Sequence, residues 1–338
     1  MKVTFLTRHD GGLASGGREV QLGYTLRALN EIGIETEILT PLTTKIGDVL
    51  HVFGPEGYFA DTARYARERQ VPVVTSSVWY LPLPIWRVWL RRYWLTLRFR
   101  YPKQTKKLFK RSTLLVCPSH AAQKRIVAFF GIDPKKFRFI PSAGVDERFA
   151  NATPELFREH TGIREDFVLH VGVIHKRKNQ LNLIRALKGT NFKMVFLGRL
   201  HSLEYAARCK REAGEQAMFL DAVSHDSPLL PSAYAAARVV CIPSILDDFL
   251  IAGIEAGAAG ARLVLSNSWH PQELYGDYAL YPNPFSPTDI RRCVEIAWDK
   301  PHDPEAQREY FIKRYSWSRI AEQLKTVYEE AVGLTCVS

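Results

Sequence analysis

Short apolar runs of three to six residues recur along this chain, separated by stretches with helical spacing. Residues 3–6, 48–53, 71–75, 114–117 and 137–141, joined by the more polar strand at 35–39, make one series, and residues 167–171, 192–197, 218–220, 239–242 and 263–265 a second. Runs this short and this apolar suit strands buried on both faces. Parallel strands of that kind must be joined by crossovers, usually helices. The intervening stretches supply them. Val20, Leu22, Leu26, Leu29 and Ile32 keep a helical pattern that stops at Gly33, and further helices are predicted over 61–68, 119–130, 179–187, 203–212, 231–237 and 249–259. The expected fold class is therefore α/β, with two doubly wound parallel sheets that repeat an architecture without repeating a sequence. Residues 151–162 read as a linker with a short helix, and residues 310–332 as a closing helix pair striped by Trp317, Ile320, Leu324, Val327 and Tyr328.

A chain of 338 residues holds two domains of ordinary size, and a 46% apolar fraction is enough for a core in each. No segment approaches the roughly 20 apolar residues that a membrane span requires. The opening run Val3 to Leu6 is shorter than the ~7–15 residues of a secretory apolar region. Five cysteines, odd in number and without CxxC spacing, suit a reduced cytoplasmic setting with no metal site. A net charge of +11 predicts an anionic partner: nucleic acid, a phosphorylated substrate or an acidic membrane leaflet.

Leu81 to Arg111 holds ten Lys or Arg and no Asp or Glu. Trp86, Trp89, Leu90, Tyr93, Trp94 and Leu97 recur three and four residues apart, flanked by Arg87, Arg91, Arg92 and Arg98. A basic, Trp-rich amphipathic helix suits an anionic membrane surface. The same pattern suits a core-packed helix whose basic face is merely solvated. Nucleic acid is not the expected partner, because the aromatics keep helical spacing and no helix-turn-helix, zinc-finger or RNP pattern accompanies them.

In doubly wound sheets, ligands bind outside the carboxyl ends of the strands. Two loops stand out there. Arg8 to Gly17 follows the first strand, and its Gly16-Gly17 pair would let a phosphate approach a helix start, although tight turns need glycine anyway. The second lies between the strand at 239–242 and the helix at 249–259, where Pro243-Ser244 is followed by Asp247-Asp248. Asp247 also reads as a helix N-cap. No ligand cluster accompanies the two aspartates, so no metal is expected there.

Pro-Ser, then Asp247, then seven residues, then Glu255-Ala256 and Gly260, resembles the paired-acid signature of retaining nucleotide-sugar glycosyltransferases of family 4. Gly172, followed six residues later by Lys178-Asn179-Gln180, is similar to a second motif of that family, and Ser142-Ala143-Gly144-Val145-Asp146 to the turn that closes its first domain. The chain departs from the pattern at several points. Asp247 stands where the family usually has Glu, Asp248-Phe249-Leu250 replaces Gly-Phe-Gly, and Val173 replaces an arginine. Ser76-Ser77 falls where a His-Asp pair is usual.

The resemblance implies two Rossmann-like domains facing across a cleft, the GT-B arrangement. Residues 1–145 would be the acceptor-side domain, with a C-terminal helix 318–338 crossing back onto it, and residues 163–317 the donor domain. Asp247 and Lys178 would be catalytic. Donor contacts would come from Gly16, Gly17, Gly172, Lys178, Arg199, Val223, Asp247, Phe249, Leu250 and Glu255. In this reading Lys178 meets the diphosphate, Asp247 the sugar and Glu255 the ribose hydroxyls, while Arg199 and Val223-Ser224 cradle the base. His120 and His175 are further candidates by location alone. The partners would be a nucleotide-diphosphate sugar, an acceptor glycan of the lipid-linked or cell-envelope kind and an anionic membrane met by Trp86, Arg87, Trp89, Arg91, Arg92, Trp94 and Arg98. No cofactor is implied. The setting would be cytoplasmic and peripheral at the inner membrane face. The departures leave open an alternative, a degenerate member that binds nucleotide, glycan or membrane without turnover.

Overall fold

The computed structural model describes residues 1–8, 17–79, 86–88, 100–245, 251–267 and 271–336. The chain divides into two compact units, Met1–Gly144 with Trp317–Ser338 and Val145–Ser316. Unit 1 runs β1 (Lys2–Leu6), α1 (Gly17–Glu31), β2 (Glu35–Ile38), β3 (Val49–Val52), α2 (Ala60–Glu68), β4 (Val73–Ser76), α3 (Arg100–Arg111), β5 (Leu114–Cys117), α4 (His120–Phe130) and β6 (Phe137–Phe139). Unit 2 begins with α5 (Glu147–Ala150), α6 (Glu155–Thr161), β7 (Phe167–Val171), α7 (Gln180–Leu187), β8 (Lys193–Leu197), α8 (Leu203–Ala213) and β9 (Ala217–Leu220). It continues with α9 (Leu229–Ala236), β10 (Val239–Ile242), α10 (Ile251–Ala258), β11 (Arg262–Leu265), α11 (Pro271–Tyr275), β12 (Ala279–Leu280), α12 (Pro287–Asp299) and α13 (Pro304–Tyr315). The last helix, α14 (Trp317–Cys336), belongs to unit 1.

The described strands form two six-stranded sheets, ordered β2-β1-β3-β4-β5-β6 and β12-β11-β10-β7-β8-β9. Every ladder between them is parallel. In unit 1 the chain leaves β1 toward β2 on one side and returns to β3 on the other. The strand order therefore reverses between β1 and β3, and by the same logic between β7 and β10 in unit 2. At such a reversal neighbouring crossovers lie on opposite faces of the sheet, which opens a crevice at the strands' carboxyl ends.

The two-residue period of a strand explains why central strands such as β5 and β10 are apolar on both faces. In β10, Val239 and Cys241 face one core with α7, α8 and α12, while Val240 and Ile242 face the other with α9, α10 and α13. In unit 1, Val3, Phe5, Val49, Val74 and Leu114 pack with α1 and α14. Leu6, Leu50, Val52, Val73 and Leu115 pack with α2, α3 and α4. Each fully buried Val or Leu contributes ~1.5–3 kcal/mol, so loss of either face of a central strand is costly. The stripe Trp317, Ile320, Leu324, Val327 and Tyr328 is buried in the β1–β3 core, and an Arg138–Glu330 ion pair fastens α14 beside β6.

The expected strands appear with edges shifted by one or two residues, and the closing helix pair is α13 and α14. Sequence reading did not anticipate β12 or α12. A two-residue edge strand is too short for a periodic signal. The polar stretch after Asp146 belongs to unit 2, where Phe149 and Phe157 are completely buried. Among the described residues, no helix is long and apolar enough to cross a membrane. Trp86 and Arg87 are exposed, with the guanidinium 4.9 Å from the indole centroid. Trp89, Arg91, Arg92, Trp94 and Arg98 lie outside the described residues.

Candidate functional site

Beside the switch point of unit 2, Gly172 directly follows β7 and Gly198 directly follows its neighbour β8. Gly172 has φ +143, and a Cβ on Gly198 would stand 2.1 Å from the Gly172 carbonyl oxygen. Only glycine permits that approach. The two strand exits stay paired beyond the sheet, with Ile174 N–H donating to Arg199 O at 2.9 Å. His175 then caps the 3-10 turn Lys176–Lys178, its Nδ1 accepting from Arg177 N–H at 3.1 Å. Burial, followed by the electrostatic influence of His201, Arg177 and Lys176 nearby, lowers the His175 pKa. The turn folds Lys178 back over Gly172, its Cε 3.5 Å from where a Cβ would be.

Asn179 fixes this turn in place. It is buried, and its φ is +65, a left-handed conformation that Asn tolerates better than most residues. Its Nδ2 donates to Pro243 O at 2.8 Å and to Pro284 O at 2.7 Å. Ile245 N–H donates to Arg177 O at 2.9 Å. The loop after β10 and the loop after β12 are thus fastened to the turn that presents Lys178. Asp247, Phe249 and Leu250, which continue the first of these loops, lie outside the described residues.

Glu255 is the sole charged residue of α10, whose sequence is Ile-Ala-Gly-Ile-Glu-Ala-Gly-Ala. It is 4% exposed. A buried carboxylate needs donors, and two are present. His225 Nε2 lies 2.7 Å from Oε1, and Tyr234 O–H donates to Oε2 at 2.8 Å. Arg148 Nη2 lies 3.2 Å from His225 Nδ1. Arginine only donates, so Nδ1 accepts and the imidazole proton sits on Nε2, directed at Glu255. Arg148 also donates to the His225 carbonyl at 2.8 Å and pairs with Asp146 at 3.3 Å. Burial, reinforced by the Glu255 charge, pushes the Tyr234 hydroxyl well above its usual range, so it remains a donor. Among the described residues, the result is a carboxylate with one donor on each oxygen, which leaves each oxygen able to accept one more.

Other predicted positions scatter. Arg199 is exposed, and Val223 packs half-buried against the α9 and α10 core, two residues before His225. Gly17 opens α1 in unit 1, and Gly16 lies outside the described residues. Ser76 Oγ lies 2.9 Å from Nε2 of the buried His51, while Ser77 Oγ donates to Val116 O at 2.9 Å. His120 stacks on Phe139 with ring centroids 3.9 Å apart. Sequence reading missed His225, Tyr234 and Arg148 as partners of Glu255. The available signal was the lone charge in an apolar helix, which demands donors without naming them.

Residues 154–314 match the family model described as Glycosyl transferases group 1. The matched stretch lies within unit 2. That stretch contains Gly172, Lys178, His225 and Glu255. An uncharacterized glycosyltransferase of Methanocaldococcus jannaschii is 30% identical over 201 residues, 53% of this chain and 49% of that protein. The MMP alpha-(1->4)-mannosyltransferase of Mycolicibacterium hassiacum is 24% identical over 280 residues, 79% of this chain and 63% of that one. The chain thus spans 49% and 63% of the length of these two curated relatives, less than two thirds of each. An Anabaena protein solved in complex with UDP and glucose superposes with a TM-score of 0.72 at 16% identity, covering 97% of this chain and 99% of that one. At that identity the likeness concerns the fold, two Rossmann-like α/β units of the GT-B class.

Proposed function

We propose that this protein is a retaining glycosyltransferase that takes a sugar from a nucleotide diphosphate and places it on an acceptor hydroxyl, with the acceptor a lipid-linked or cell-envelope glycan. The observation that carries the reading is the Asn179 clamp. It joins the Lys178 turn to the β10 loop, in the same matched stretch that holds the Glu255 carboxylate between two donors. Lys178 would supply positive charge as the leaving diphosphate gains negative charge. Glu255 would accept the ribose hydroxyls through its two remaining acceptor directions. Asp247, two residues after Ile245, would hold the sugar. In a front-side displacement the departing phosphate takes the acceptor's proton, so no strong protein base is required. A peripheral position on an anionic membrane agrees with the exposed Trp86 and with Lys103, Lys107 and Lys110, exposed along one face of α3.

Isothermal titration with UDP, GDP and ADP tests this reading. Binding of one of them is expected, and binding of none overturns it. The engagement of Ser76 by His51, together with Val173 where the family carries a cation, favours a second reading: a protein that binds nucleotide without turnover. Nucleotide binding with neither donor hydrolysis nor transfer would select that second reading.

A further inference from the structure

Unit 1 has a switch point of its own, between β1 and β3, and it lies outside residues 154–314, which match the group 1 model. The loop leaving β3 reads Phe53-Gly54-Pro55-Glu56-Gly57. Gly54 has φ +138, and a Cβ there would stand 2.1 Å from Glu56 Oε2 and 3.2 Å from Arg18 Nη1. Gly57 abuts α3, where an added Cβ would lie 2.4 Å from that of Gln104. Thr105 Oγ1 holds the loop by donating to Pro55 O at 3.1 Å. The two glycines therefore fold the loop so that the Glu56 side chain lies over Gly54, beside the first turn of α1.

There Glu56 Oε1 pairs with Arg18. The other oxygen, Oε2, is buried and has no hydrogen-bond partner among the described residues, and Glu56 as a whole is 9% exposed. An unsatisfied buried carboxylate oxygen is costly, so a fold that builds one this rigidly calls for a donor from outside the chain. The chemistry narrows that donor. A phosphate or carboxylate would be repelled by Glu56, and an ammonium by Arg18. A neutral hydroxyl is repelled by neither. Its O–H can donate to Oε2, while a neighbouring hydroxyl oxygen accepts from the guanidinium.

We propose that Glu56 and Arg18 form a binding site for a polyhydroxylated molecule, a saccharide or polyol that presents adjacent hydroxyls. Identifying this ligand with the acceptor rests on the glycosyltransferase reading, whereas the binding site itself does not. Saturation-transfer difference NMR with methyl α-D-mannopyranoside, methyl β-D-glucopyranoside and myo-inositol at millimolar concentration tests it. At least one probe should bind the wild type. Glu56→Gln puts an amide where Oε2 accepts, and should weaken that binding about 10-fold or more. Gly54→Ala, which displaces the carboxylate, should do the same. Thermal unfolding identifies any variant that has not folded, and the remaining variant then decides. No binding of any probe to the wild type, or equal binding by folded variants, overturns the proposal. UDP and GDP titrations on the same samples report on the residues that match the group 1 model. Their failure counts against the glycosyltransferase reading and leaves the hydroxyl-site result unaffected.

Discussion

His225 Nε2 lies 2.7 Å from Glu255 Oε1, and the Arg148 contact at Nδ1 fixes the imidazole proton on the Glu255 side. His225 is thus a positioning residue for a buried carboxylate, carried on the loop that also bears Val223. His225→Ala removes the donor and leaves Oε1 short of a partner, at a cost of about 1–3 kcal/mol. Under the proposed function, nucleotide affinity should fall about 10-fold by isothermal titration. Glu255→Ala should lose it more completely. His225→Gln, whose amide can still donate, should recover part of the affinity. A variant that loses thermal stability but keeps full affinity would remove the link between this pair and the ligand.

Asn179 uses one amide nitrogen to hold two loops, and its backbone is left-handed. These two demands can be separated. Asn179→Gly keeps the φ and loses both hydrogen bonds, while Asn179→Ala loses the bonds and strains the backbone as well. Each unmade bond to a buried carbonyl costs about 1–3 kcal/mol. Urea midpoints should therefore fall in the order wild type, Gly variant, Ala variant. Equal midpoints for wild type and the Gly variant would show that the clamp contributes no stability.

The parallel sheets were legible because buried strands repeat a composition, and β10 shows why: all four of its residues are core, divided between two faces. Gly172, Lys178 and Glu255 were legible as sequence spacing. Their surroundings were not, because Asn179 bonds residues 64 and 105 positions away and His225 meets Glu255 across 30. No local pattern records such pairings. Glu56 escaped notice for a different reason. A single acid after Gly-Pro is a common turn composition, and only its geometry over Gly54 makes it distinctive.

Buried His51, between Tyr328 O–H at 2.7 Å and Ser76 Oγ at 2.9 Å, makes the stability of unit 1 sensitive to acid. Burial lowers its pKa from 6.5 to about 3. Below pH 6.5 the unfolded chain therefore binds a proton that the folded chain does not. The contribution is fully present above pH 6.5 and is lost as the pH falls toward 3, by about 2 kcal/mol between pH 7 and pH 5. Denaturant titrations at both pH values should show the loss in the wild type and a smaller one in His51→Gln. An identical pH dependence in the two proteins would exclude His51 as the titrating group.

The membrane reading makes a salt-dependent prediction. Lys103, Lys107 and Lys110 are exposed at one-turn spacing along α3, and each basic residue near an anionic surface contributes about 1 kcal/mol. The wild type should sediment with phosphatidylserine-containing liposomes at low ionic strength and be released as salt rises, because the attraction is screened within about 10 Å at 0.1 M. A Lys103→Glu, Lys107→Glu, Lys110→Glu triple variant should partition at least 100-fold more weakly, the combined loss of about 3 kcal/mol. This loss should leave nucleotide titrations unchanged, since the three lysines and the residues that match the group 1 model belong to different units. Wild-type protein that stays in the supernatant at low salt would remove the membrane from the proposed function. Equal sedimentation of wild type and variant would shift the attraction away from this face of α3.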